Sequence, residues 1–389
     1  GQVGGRFSGD EHLSGKRPTQ GTEMCAIVES MYSLEKLIEV FGDAALADRL
    51  ELLAYNSLPG TMTPDCWAHQ YDQQANQVLC TIAKRDWSTN GDYSNIYGLM
   101  PNYPCCLANF HQGWPKFVEH MWYATPDNGL AAVTYGPNSV AAKIGEGVDV
   151  TISQQTNYPF SDTLRFQLNL TEPTTFPLYF RIPTWADEYT ISINSEQQSL
   201  TPHNGFIIAS REWRTSDTIT LVFPMKLKTE KRYNNAIAIR RGPLYFSLRI
   251  DKEFKEITFK EKSFESISYK GSRDWEIRPT SDWNYALVID PDNPQKDKVE
   301  NFLLHEYPFG DRGDMVYWAQ WDTHVTWQHE APIVLRVPAQ KIPSWGLKNN
   351  SADDPPPSPV TIDTAVEMVD LVPYGCARLR ISEFPWTEN

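Results

Sequence analysis

The chain has 389 residues, 41% of them hydrophobic, and a formal net charge of −14 at pH 7, so it is long enough for two or three domains with real cores. The acidic balance argues against a nucleic-acid partner, which needs a concentrated basic face. No apolar run approaches the roughly 20 residues that cross a bilayer as a helix, so no membrane partner is expected.

Residues 1 to 22 read as loop, because Gly4-Gly5, Gly9, Gly15, Pro18 and Gly21 break every period. They lack the basic-then-apolar order of a signal peptide and open the chain as a fragment or processed product would. A strong helix follows. Thr22 is its expected N-cap, and Met24, Ile27, Val28, Met31, Leu34, Ile38 and Phe41 keep a spacing near 3.6. Gly42-Asp43 ends it, and a second helix is expected over 44–55, with Leu46, Leu50 and Leu53 on one stripe, stopped between Asn56 and Pro64. Such a pair is the αα-hairpin from which helical rings are built.

From Asp65 to Pro104 the chain is irregular and crowded with amides and aromatics, including Trp67, His69, Gln70, Tyr71, Gln73, Gln74, Asn76 and Gln77. Long loops of this kind tend to be functional. A third helix is expected over roughly 107–123, interrupted near Gly113 and Pro115.

Beyond Thr125-Pro126-Asp127-Asn128-Gly129 the period changes to strands: 130–135, 148–153, 163–170, 178–182, 189–193, 205–208 and 218–223. These short alternating runs read as an antiparallel sandwich. A second β-rich region follows from about Ala236, with strands over 238–241, 244–250, 286–289, 331–337 and 366–381, and a proline-rich loop from Asp353 to Pro359.

Six cysteines stand at positions 25, 66, 80, 105, 106 and 376, without the pair spacing of a zinc ribbon. Cys105 and Cys106 are adjacent, and neighbours in sequence cannot bridge each other without strain. At a helix entrance they suit a metal or a reactive thiolate, because the helix N-terminus favours negative charge. Glu23 and Cys25 can both face such a site only in non-helical or first-turn geometry. One carboxylate and three thiolates would satisfy tetrahedral zinc; buried free thiols are the competing reading of the same residues. The 13 tryptophans suit a carbohydrate site, though aromatic packing of sheets accounts for them equally. The sequons Asn169-Leu170-Thr171 and Asn349-Asn350-Ser351 permit an extracellular or secreted location.

Several strings together carry a specific resemblance. They are Gly9-Asp10-Glu11-His12-Leu13-Ser14-Gly15, Pro18-Thr19-Gln20-Gly21-Thr22-Glu23-Met24-Cys25, Trp67-Ala68-His69-Gln70-Tyr71-Asp72-Gln73-Gln74 and Cys105-Cys106-Leu107-Ala108-Asn109. In these the chain resembles the β-L-arabinofuranosidase-like glycoside hydrolases, family 127 and its relatives. The resemblance implies an α+β multidomain plan: the C-terminal part of an (α/α)6 ring over 1–128, a β-sandwich over 129–235 and a second sandwich-like domain over 236–389. The first helices of the ring have no counterpart in this sequence.

By the same resemblance Glu23, Cys25, Cys105 and Cys106 would hold Zn2+, and Cys105 would be the nucleophile of a retaining glycosidase. Glu11 would be its acid/base, with Asp10 as substitute and a shorter gap to Glu23 than the best-known members show. Tyr71 resembles a tyrosine close to the nucleophile, and His69, His111 and Trp114 are candidates for lining the sugar pocket. The implied substrate is a non-reducing-end β-L-arabinofuranoside or a related plant glycan. The alternatives are a truncated or degenerate member that keeps a structural zinc site and serves as a glycan-binding or structural protein, and a glycan lyase on the same plan. Cys66, Cys80 and Cys376 match no family role and are expected to be buried thiols.

Overall fold

A computed structural model describes residues 1–89, 91–257, 271–294 and 298–388. Among them the chain is mixed, with few helices and many strands, and it divides into two compact units. One comprises residues 1–29, 53–112 and 227–389, the other residues 30–52 and 113–226.

Helix α1 runs Met24–Phe41. Met24, Ile27, Val28, Met31, Leu34 and Ile38 are all buried, as the 3.6-residue stripe requires, whereas Phe41, expected as its last member, is exposed at the helix end. Gly42 ends the helix in the left-handed conformation, at φ 61°, and its N–H donates to the Ile38 carbonyl at 2.8 Å. Glycine adopts that turn without a Cβ penalty. Asp43 then caps α2 (Ala44–Leu52) by accepting from the Ala45 N–H at 2.9 Å.

Two details at these helices differ from expectation. Thr22 is not a cap: it lies in a two-residue strand, and its hydroxyl is engaged by Arg6 Nη1 at 2.7 Å and the Gln73 carbonyl at 3.1 Å. The second helix also runs past Tyr55, ending at Gly60 inside the expected stop of 56–64. It widens into a π-turn over Leu53–Ser57 and tightens again as α3 (Leu58–Gly60). Pro59 is tolerated there because it falls in the first turn of the new segment, where no intrahelical N–H is needed.

Helix α4 spans Cys105–Glu119. It begins two residues earlier than the period suggests, so the cysteine pair forms its first turn. It also passes through Pro115 without interruption.

In the second unit the sandwich is present, antiparallel as expected except where 130–132 pairs parallel with 174–181. One sheet has the order 196–198, 190–193, 218–222, 163–170, 148–155, 138–144, and the other 206–213, 174–181, 130–132, 122–124. Leu164, Phe166, Leu168 and Leu170 point inward from one sheet and Phe176, Leu178 and Phe180 from the other. The Phe166 and Phe180 rings meet at 5.0 Å, which is the inter-sheet contact of a sandwich core. The strands at 138–144 and 196–198 were not expected, because their polar outer faces blur the alternation. Arg181 is buried here on Glu51 at 2.7 Å and on Asp48.

In the first unit a sheet of eight described strands has the order 227–231, 237–241, 244–248, 366–373, 333–341, 285–288, 386–387, with 298–301 pairing on 333–341. The strand expected over 366–381 ends at Pro373 in a 3-10 turn, Tyr374–Cys376, and residues 377–384 continue as a buried strap.

The amide-rich loop is stapled to this unit by the isolated bridges Gln77↔Arg380, Cys80↔Ile277 and Tyr97↔Trp275. Its amides are consumed in doing so. Gln70, Gln73, Gln74, Asn76 and Gln77 are fully buried. Their side chains donate to backbone carbonyls of Asn95 at 2.7 Å, Ser57 at 2.7 Å, Thr19 at 2.5 Å, Glu383 at 3.0 Å and Arg378 at 2.8 Å. Irregular backbone can be buried only if its polar groups find partners, and the glutamines supply them.

Candidate metal and catalytic centre

The centre is assembled at a two-residue bridge. Thr22–Glu23 pairs antiparallel with Asp72–Gln73, with Glu23 opposite Asp72. The Met24 N–H, first in α1, donates to the Tyr71 carbonyl at 2.9 Å, and the Glu23 N–H donates to the Ser8 carbonyl at 3.2 Å. Glu23 is therefore in strand geometry and Cys25 in the first helical turn, which lets both side chains reach one point. The first turn of α4 brings Cys105 and Cys106 to the same point.

Ligand atoms of Glu23, Cys25, Cys105 and Cys106 all lie within 4.8 Å of one another. Cys25 Sγ is 3.3 Å from Cys106 Sγ, and Cys105 Sγ is 3.7 Å from Glu23 Oε1. Cys25 and Cys106 are buried and Cys105 is half-buried, so Cys105 is the thiol a ligand from solvent can reach.

The electrostatics describe acids packed together. The Cys106 hydrogen bond lowers the Cys25 thiol against the opposing effect of burial. Burial pushes the Cys105 thiol up to about 12, with Cys25 and Glu23 adding to it. The bond to Cys25 and then burial raise Cys106. Burial raises Glu23, while hydrogen bonds from Cys25 and Tyr71 oppose it. Asp72 is raised by burial first and then by Asp10, Glu23 and Cys25; both its carboxylate oxygens lack a protein hydrogen-bond partner among the described residues. Buried acids gathered together are the condition a divalent cation relieves. Three thiols and a carboxylate suit zinc by donor type.

Asp10 is fully buried. It accepts from the Thr89 N–H at 2.6 Å and the Ser88 hydroxyl at 3.4 Å, with the Tyr71 hydroxyl at 3.5 Å. Glu11, next in the loop, is exposed and held at φ 60°, and its charge raises Glu23. Tyr71 is buried beneath the cluster, between Asp10 and Glu23.

His69 is also buried. Its pKa is lowered to about 4 by desolvation, and its ring packs on Phe110 at 5.1 Å. His111 is exposed on α4, with Nδ1 3.4 Å from the Leu107 carbonyl. Trp114 lies further along α4, half-buried and edge-on to Phe117 at 6.0 Å.

Cys80 and Cys376 are buried thiols as expected, but Cys66 is exposed, at a loop position with φ 61°. Asp72 and Asn109, which bonds Cys25, are participants that sequence reasoning passed over. Both stood inside quoted strings, but nothing in their spacing marked them. The 810 Å³ cavity bounded by Arg249, Asp251, Arg336 and Asp370 contains none of these residues. No described helix is long and apolar enough to cross a membrane.

Comparison with known proteins places these residues in context. The model described as the β-L-arabinofuranosidase GH127 catalytic domain matches residues 3–119. The GH127 middle-domain model matches residues 129–225. A solved GH127 β-L-arabinofuranosidase from Geobacillus stearothermophilus T6 superposes with a TM-score of 0.64 at 18% identity, over 100% of this chain and 54% of that one. A second solved structure, a GH127 β-arabinofuranosidase, gives 0.65 at 15% identity over 96% and 51%. A third, described as a glycoside hydrolase, gives 0.61 at 18% identity over 96% and 53%. The chain thus spans about half the length of these structures. No curated protein matches it.

Proposed function

Because the chain belongs to glycoside hydrolase family 127 across its catalytic and middle segments, we propose that it carries the nucleophile half of a retaining β-L-arabinofuranosidase-type site. The observation that supports this most directly is the convergence of Glu23, Cys25, Cys105 and Cys106 with Cys105 alone open among the three thiols. Non-reducing-end β-L-arabinofuranosides or related plant glycans are the proposed substrates. The proposal includes the domain plan: residues 1–128 as part of an (α/α)6 ring, with sandwich domains over 129–235 and 236–389. The family-model boundaries near 119, 129 and 225 support it.

In this reading Cys105 Sγ attacks the anomeric carbon as the glycosidic C–O bond breaks, and Glu11 gives its proton to the leaving oxygen. Glu11 then takes a proton from water. The water oxygen attacks the same carbon and Cys105 leaves as thiolate, so two inversions give net retention. Glu11 suits proton exchange with solvent because it is exposed, whereas Asp10 is committed to Thr89 and Ser88. Zinc bound by Glu23, Cys25, Cys105 and Cys106 would hold thiols as thiolates at neutral pH. Tyr71 positions Glu23 and Asp10 from below. His69, His111 and Trp114 are carried as candidate substrate contacts.

The test couples metal content to turnover. Chelator-treated protein should take up zinc with release of protons, because thiols protonated in the metal-free state become ligands, and aryl β-L-arabinofuranoside hydrolysis should require Cys105. Absence of zinc uptake together with unchanged hydrolysis by Cys105→Ala would sink the reading.

A further inference from the structure

The hairpin of Met315–Trp318 and Thr323–Thr326 has no part in the site described above. Its tip bears Trp318 and Trp321, whose rings stack at 5.1 Å and 18° while remaining 37% and 64% exposed. Large aromatic faces left side by side in water carry a hydration cost that a monomeric surface usually avoids.

The hairpin is anchored on the site loop. The Tyr317 N–H donates to Asp65 Oδ2, while Asp65 Oδ1 accepts from the Thr63 hydroxyl at 2.7 Å and the Trp67 N–H at 3.2 Å. The Trp67 ring meets Tyr317 edge-on at 4.4 Å and is itself 40% exposed. Trp67 stands two residues before His69 and four before Tyr71, so the base of the hairpin is tied through Tyr317 to the segment that supports Glu23.

We infer that Trp318 and Trp321 form a stacking platform for a sugar ring of an oligosaccharide, outside the cysteine cluster. The chemistry of the tip selects this occupant. A sugar ring offers a flat C–H face to an aromatic plane and hydroxyls around its rim. At the tip, Gln320 accepts from Trp318 Nε1 at 3.4 Å and Asp322 accepts from the Tyr317 hydroxyl at 2.8 Å, so planar polar groups border the rings. The large apolar side chains exposed on this hairpin are tryptophans, without the aliphatic surround of a protein-docking patch.

The inference rests on the glycosidase reading, and the test lets the two fail separately. Binding of an L-arabinofuranose trisaccharide to the full chain is followed by intrinsic tryptophan fluorescence and calorimetry without turnover. Hydrolysis of an aryl β-L-arabinofuranoside, which carries a single sugar ring, is followed alongside. Trp321→Ala should weaken trisaccharide binding roughly tenfold and leave the aryl glycoside unaffected, with Trp321→Tyr restoring most of the binding. Tryptophan-dependent binding without hydrolysis would support the platform and sink the enzyme reading. Trisaccharide binding that is absent, or unchanged in both Trp321→Ala and Trp318→Ala, would overturn the platform. So would a wild-type dimer that Trp321→Ala converts to monomer, since the occupant would then be a second copy of the chain.

Discussion

Two buried polar regions of the same unit make an instructive contrast. Around the strap at 377–384, donors reach backbone: Arg380 bonds the carbonyls of Gln74 at 3.0 Å, Gly60 at 3.1 Å and Ala377 at 2.8 Å and lies 4.4 Å from the Tyr374 ring centre. At the head of α4 the polar atoms instead face one another. Thiol meets thiol, thiol meets carboxylate, and the Asp72 carboxylate oxygens stand without a protein hydrogen-bond partner among the described residues. The first region uses its polar groups to hold irregular backbone. The second holds acids together at an electrostatic cost, which makes sense where something cationic or reactive is to be bound.

The sharpest way to break this contrast is at Cys105. Cys105→Ala should lower hydrolysis by roughly three orders of magnitude or more while leaving the denaturation midpoint of metal-free protein nearly unchanged. A large loss of stability in the metal-free state would mean the cluster is scaffold after all. The reciprocal change is Arg380→Ala, which removes a donor shared by three buried carbonyls, of which Gln74 and Gly60 keep the hydroxyls of Tyr374 and Tyr97. It should cost about 3 kcal/mol by chemical denaturation.

Glu35 tests whether a buried carboxylate without a hydrogen-bond partner among the described residues is by itself a sign of function. It is fully buried, 3.4 Å from His120 Nδ1, with burial lifting its carboxyl to about 7. The folded state therefore binds more protons than the unfolded chain between about 4.5 and about 7. Stability should fall as pH rises through that window and level off above it. Glu35→Gln should remove this slope, which is on the order of 3 kcal/mol across the window, and leave hydrolysis intact. The smallest expected effect is that of Tyr71→Phe. Its 3.5 Å hydroxyl contact with Asp10 is worth about 1 kcal/mol or less to folding. Turnover and its pH profile should move instead, and a stability loss comparable with Arg380→Ala would place Tyr71 in the scaffold.

The sequence was most legible where chemistry is local. The stripe of α1, the Gly42 stop and the inward faces of 163–170 follow from period and turn residues alone, and the four ligand-type residues were visible as short motifs. The role of the glutamines was not. Gln70 to Gln77 look like a ligand-binding loop because amides suit sugars, but their partners, such as the Glu383 and Arg378 carbonyls, lie about 300 residues away. Nothing in local pattern distinguishes an amide that binds a ligand from one that binds distant backbone. Thr22 failed for a related reason, since Arg6 and Gln73 claim its hydroxyl before the helix can.

The pairing of Glu23 with Asp72 also bears on which changes of chain length the centre tolerates. Side chains in paired strands alternate sides, so a single residue inserted or deleted between Glu23 and Cys25, or between Tyr71 and Gln73, would turn a required group away. The loop that packs on this pairing is tied to it at fixed points, where the Asp72 N–H donates to the Ser94 carbonyl at 2.7 Å and the Thr89 N–H to Asp10 at 2.6 Å, so changes of length are tolerated between those contacts and not at them. Divergence in this lineage should therefore accumulate as loops of varying length around two invariant spacings. A search keyed to those spacings should find relatives that overall similarity overlooks.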